Sequence, residues 1–190
     1  MQKSLAKTYL AEMIKLLQGL DTRPVDQLIG LLHTAYDEDR QIFIFGNGGS
    51  GATASHITCD INKGVSFGKE KRFRVICLND NIPTLTAYAN DVHFHDIFVE
   101  PLKNFLRAGD VVIGISGSGN SENVIRAIEY ANQKKARTVG ICGYSGGRLK
   151  QAAQLAVHVE VQDMQKSEDV HHMIGHIVMQ ALHRRASSIV

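Results

Sequence analysis

The sequence predicts an α/β protein, a three-layer α-β-α sandwich around a five-stranded parallel sheet with a helical hairpin in front. Three observations predict it. From residue 41 onward, five short apolar runs rich in β-branched residues alternate with segments of helical periodicity, the pattern of a parallel sheet covered on both faces. The runs are almost continuously apolar, as strands buried on both sides require. Two of them end in glycine- and serine-rich loops, and sheets of this kind bind ligands beyond the carboxyl ends of their strands, at a topological switch point.

Taken in order, Leu5, Tyr9, Met13, Leu16 and Leu20 recur at spacings of three and four and mark an amphipathic helix. After "DTRP", a second helix uses Val25, Leu28, Ile29 and Leu32. Neither leads into the strand–helix alternation. Residues 1–39 therefore read as an appended hairpin that either packs on another subunit or covers its own sheet. The core, residues 40–185, has strands at "QIFIF" (41–45), "FRVICL" (73–78), "VVIGI" (111–115), "RTVGIC" (137–142) and "LAVHVEV" (155–161). Helical segments are expected at 51–64, 81–90, 94–106, 122–135, 146–153 and 168–183, and residues 186–190 form a tail with little to tie it down. With no repeat, linker or low-complexity tract, residues 1–190 read as one domain.

Composition bounds the function. Hydrophobic residues make up 44% and charged residues 21% of 190, with a net charge of +2. Electrostatics thus gives no reason to expect nucleic acid or a membrane surface as partner. Cys59, Cys77 and Cys142 form no C-x-x-C pair, no apolar run reaches 18 residues, and no basic-then-apolar leader opens the chain. A reduced, cytoplasmic protein is expected.

The first loop, "GNGGSGA", spells a dinucleotide fingerprint with Gly46, Gly48 and Gly51. That reading needs an acidic residue about 20 positions further on, and Asp80 lies beyond that spacing. The second loop, "SGSGNSEN", offers Ser116, Ser118 and Ser121 beside a helix start. Hydroxyls and backbone N–H groups at a helix N-terminus make an uncharged phosphate cradle. A phosphorylated sugar explains both loops better than a nucleotide does. Separately, His56 and Asp60 share a helix face, and Glu168, His172 and His176 form an i, i+4, i+8 stripe on the last helix. Two such stripes facing one cleft would supply nitrogen and oxygen ligands suited to zinc or another divalent metal. His93, His95 and His171 are read as packing, capping or interface residues.

The motifs "FGNGGSGATASH", "AYANDVHF", "GDVVIGISGSGNSENVIRAIEYA", "GYSGG" and "HHMIGHI" together resemble the sugar isomerase (SIS) domain family, and within it the sedoheptulose 7-phosphate isomerases. The resemblance runs through nearly the whole chain and implies a flavodoxin-like SIS fold, a homotetramer and, as in some members, one zinc per active site. It implies that Asn47, Gly48, Gly49 and Ser50 form the first sugar-phosphate loop. Ser116, Gly117, Ser118 and Ser121 then match the phosphate-binding positions, with Gly117 where threonine is common, and Asn90 and Asp91 match a substrate-contacting pair. It implies His56, Asp60, Glu168 and His176 as metal ligands, with Glu168 also near the substrate, Asp60 as the catalytic carboxylate and His176 as its acid/base partner. Two positions depart from the family. Asp60 replaces a glutamate, and Glu168 replaces a glutamine, while His172 matches no ligand position. Two other readings stay open: a non-catalytic phosphosugar sensor or replication-initiator-binding protein, and an isomerase of another ketose phosphate.

Overall fold

The computed structural model describes residues 4–188. Two helices open the fold, α1 (Leu5–Gln18) and α2 (Arg23–Asp37). The strands are β1 (Gln41–Gly46), β2 (Arg74–Cys77), β3 (Val111–Ser116), β4 (Arg137–Cys142) and β5 (Leu155–His158). All neighbours pair in parallel, in the order β2-β1-β3-β4-β5. The chain winds one way from β1 to β2 and the other way from β3 onward, so the switch point lies between β1 and β3. This is the expected flavodoxin-like order.

Alternation along β1 divides the core in two. Ile42 and Ile44 face one layer with Val111, Ile113 and Ile115, packed against α2, α3 (Gly48–Cys59) and α8 (Met164–Ser188). Phe43 and Phe45 face the other with Val112, packed against α5 (Val99–Phe105), α6 (Glu122–Gln133) and α7 (Gly147–Ala152). Helix α4 (Ile82–Asp91) lies on this second side through Leu85 and Tyr88. At Gly114 an added Cβ would stand 2.7 Å from Val124 Cγ1, so the bare backbone there lets α6 sit down on the sheet.

The hairpin resolves into two different helices. Val25, Leu28, Leu32 and Ala35 of α2 are buried in the first core, so α2 covers its own sheet. Helix α1 buries only Met13 and leaves Leu5, Leu10 and Ile14 exposed.

Four elements differ from the sequence reading. Strand β5 stops at His158, because Val161 accepts a hydrogen bond from Tyr144 N and turns back on Val159. The helix expected over 94–106 splits into a 3-10 turn, Phe94–Asp96, and α5, with Pro101 in the first turn of α5, where its missing N–H has no cost. The helix expected over 51–64 is α3 followed by a π-helical stretch, Asp60–Val65. Finally, α8 runs through Ser188, so most of the expected tail is helical; residues 189 and 190 lie outside the described residues.

Candidate functional site

The two loops meet at the switch point. Asn47 precedes α3, and Gly48 takes a φ of 52°, a left-handed conformation that glycine adopts without penalty. Space is tight here: a Cβ on Gly46 would lie 2.7 Å from Ile115 O, and one on Gly51 2.8 Å from Gly46 O. Asn79 holds the loop by donating to Gly46 O at 2.7 Å and accepting from Gly46 N at 3.1 Å. Ser50 is buried at the start of α3.

A reciprocal amide pair ties this loop to the second. Asn47 Nδ2 donates to Asn123 Oδ1, and Asn123 Nδ2 donates to Asn47 Oδ1, both at 2.9 Å. Asn123 is 1% exposed, at the second position of α6. In the second loop, Ser116 Oγ and Ser121 Oγ stand 2.9 Å apart. Ser121 caps α6 without a side-chain cap bond, which leaves its hydroxyl turned toward Ser116. Ser118 Oγ accepts from Asn120 N at 3.2 Å. Gly117 lies against Met164, whose sulfur occupies the space that a Cβ would need.

Below the loops, α3 and α8 run side by side in the same direction. The Glu168 carboxylate lies against Gly49, where a Cβ would come 2.5 Å from both its oxygens, and Gly175 lies against Ile57, where the corresponding gap is 2.6 Å. This register brings the two predicted stripes together. His56 Nε2 and His176 Nε2 approach to 2.9 Å, and Asp60 Oδ2 lies 3.3 Å from the first and 3.8 Å from the second. Ligand nitrogens of His56, His172 and His176 all fall within 4.8 Å of one another. Burial, then the neighbouring His56 and His176, hold the His172 imidazole below its ordinary pKa.

The donor set suits a transition ion. Two ligands 2.0–2.1 Å from a tetrahedral zinc stand about 3.3 Å apart, within the range of these separations. Three imidazoles and one carboxylate are also ligands that zinc accepts readily.

Not every predicted residue joins the cluster. Glu168 sits at the first loop, two helical turns (about 12 Å of rise) above His176. Asn90 and Asp91 end α4 as an exposed pair, Asn90 Nδ2 donating to Asp91 Oδ1 at 2.7 Å. Among the described residues, no hydrogen bond links that pair to either loop. His93 caps its own turn by accepting from His95 N at 3.0 Å, and His171 is buried, in keeping with their assigned packing and capping roles. A cavity of about 650 Å³ lies elsewhere, between α1 and β5, lined by Glu12, Lys15, Asp21, Lys150 and His158. It holds no residue of either loop, and the convergent cluster locates the chemistry better than the cavity's size does. Asn79, Asn123 and Met164 were not identified from sequence. The only available signal was Asn123 itself, a polar residue on the otherwise apolar face of Val124, Ala127 and Ile128.

Residues 8–143 match the SIS domain family. A phosphoheptose isomerase from Nitratiruptor sp. is 39% identical over 145 residues, 76% of each chain. One from Citrifermentans bemidjiense is 35% identical over 174 residues, 91% of this chain and 90% of its own. Among solved structures, a phosphoheptose isomerase from Neisseria gonorrhoeae superimposes with a TM-score of 0.86 at 26% identity, covering 93% of this chain and 96% of its own.

Proposed function

The chain belongs to the SIS domain family, and on that premise we propose that it interconverts sedoheptulose 7-phosphate and D-glycero-D-manno-heptose 7-phosphate. The reaction moves a proton between C1 and C2 of the open-chain sugar. One observation carries the proposal: the His56–Asp60–His176 cluster lies along α3 and α8 below the first loop, and Asn47 of that loop is hydrogen-bonded to Asn123 of α6, the helix that follows the serine-rich loop. An isomerase needs this combination, a grip on the phosphate and an acid/base pair at a fixed distance from it.

Ser116, Gly117, Ser118 and Ser121 hold the phosphate with the N-terminal N–H groups of α6. Asn47, Gly48, Gly49 and Ser50 orient the sugar, Glu168 meets it beside Gly49, and Asn90 and Asp91 contact it from α4. Asp60 takes a proton from one carbon, exchanges it with solvent and delivers a proton to the next, while His176 exchanges a proton with the oxygens. His56, Asp60 and His176, with one further ligand from α8, would hold zinc or another divalent ion, which would supply polarisation of those oxygens. The functional unit is a homo-oligomer, a tetramer by family resemblance, working in the cytoplasm. Exposed Leu10 and Ile14 on α1, and Met173 and Ile177 on α8, supply apolar surface for assembly. Among the described residues, no helix is long and apolar enough to cross a membrane.

The test is turnover of sedoheptulose 7-phosphate by the purified chain supplied with zinc. Asp60→Asn and His176→Ala are each expected to lower kcat by about 10²–10⁴-fold, the usual worth of a positioned acid or base. Binding of the phosphosugar without turnover would overturn the proposal in favour of a sensor. Turnover of a shorter ketose phosphate alone would move it to a different substrate, since both loops grip phosphate and not chain length.

A further inference from the structure

We infer that His172, and not Glu168, completes the metal centre of this chain, giving a ligand set of His56, Asp60, His172 and His176. The inference deepens the proposed function and rests on its reading of the α3–α8 cluster as a metal site. Three observations carry it. The ring nitrogens of His56, His172 and His176 fall within 4.8 Å of one another. The rings themselves crowd together, with centroids 4.3 Å apart for His56 and His172 and 4.7 Å for His172 and His176. The Glu168 carboxylate is packed instead on the backbone of Gly49.

Helix geometry gives the reason. His172 and His176 stand four apart, on one face and about 6 Å apart along the axis, the spacing at which two histidines of one helix chelate one ion. Glu168 and His176 stand eight apart, twice that rise. With His172 in the set, the site offers three imidazoles and a single carboxylate, which favours zinc and its late-transition neighbours over magnesium or manganese. Glu168 is then left at the first loop, free to face the sugar.

The test is zinc affinity of the full-length chain, measured by competition with a chromophoric chelator, and the visible spectrum of the cobalt(II)-loaded protein. His172→Ala is expected to weaken zinc by more than about 10–100-fold, the cost of losing a supporting interaction alone, and to shift the cobalt bands. Glu168→Gln is expected to leave affinity within about threefold of the parent and the spectrum unchanged. Should the alanine variant fail to fold, His172→Asn carries the same spectral comparison. Weakened zinc in Glu168→Gln with none lost in His172→Ala would overturn the inference, as would a parent chain that binds no zinc. Loss of isomerase turnover alongside the expected zinc pattern would sink the proposed reaction and leave the ligand set standing.

Discussion

Asp60 stands where α3 gives way to a π-helical stretch, a widening of the helix that often marks functional positions. Its carboxylate already lies at ligand distance from both histidines, although the side chain is one methylene shorter than the family glutamate. Asp60→Glu is therefore expected to overshoot and to lower kcat by about 10–100-fold, since misplacement by about 1 Å costs on that order. Steady-state kinetics of the zinc-loaded variant checks this; a gain in kcat would contradict it. Asn123 acts through Asn47. Truncation to alanine removes both hydrogen bonds to the half-buried Asn47 amide, which costs about 1 kcal/mol, and loosens the link between the loops. Denaturant titration is expected to show that loss. Kinetics are expected to show KM for the phosphosugar raised several-fold with zinc affinity unchanged, and a purely structural role would leave KM as it is.

Among the elements, the legible ones were those whose pattern is local. Strands β1, β3 and β4 are continuous apolar runs, and α2 and α6 have clear apolar faces, so their existence follows from periodicity alone. The end of β5 depends on a hydrogen bond from Tyr144 N to Val161 O, which no local pattern records. The site divides the same way. Spacing placed His56 with Asp60 and His172 with His176, because i and i+4 share a face. The side-by-side register of α3 and α8, with Gly175 against Ile57 and Glu168 against Gly49, is tertiary, and it decides which residues of the two stripes meet. Met164 at the start of α8 similarly crowds position 117. Gly117→Thr is expected to destabilise the fold by about 1–3 kcal/mol through overpacking and to raise KM. Adding Met164→Ala is expected to recover most of both losses in a double-mutant cycle. Additive losses in that cycle would show that the two positions do not compete for space.

For the whole molecule, the reversal of strand order puts the ends of β1 and β3 side by side, and the phosphate grip follows from that topology. Beneath it, His171 is 1% exposed, and burial pushes its pKa from 6.5 down to about 4. The unfolded chain binds a proton in that interval that the folded chain refuses. Stability is thus full above about pH 6.5 and falls as pH drops toward about 4, by about 3 kcal/mol in all. Urea titrations across this range, with chelator present, are expected to show a slope in the parent that is smaller in His171→Phe, His33 and His172 supplying the remainder; an equal slope in both would contradict the assignment. The central claim is proton transfer at C1 and C2 of a heptose phosphate. Its most direct test is NMR of sedoheptulose 7-phosphate incubated with the zinc-loaded chain in D₂O. The account predicts deuterium at C2 of the aldose product, absent with Asp60→Asn. Bound phosphosugar that acquires no deuterium, however long the incubation, would contradict it.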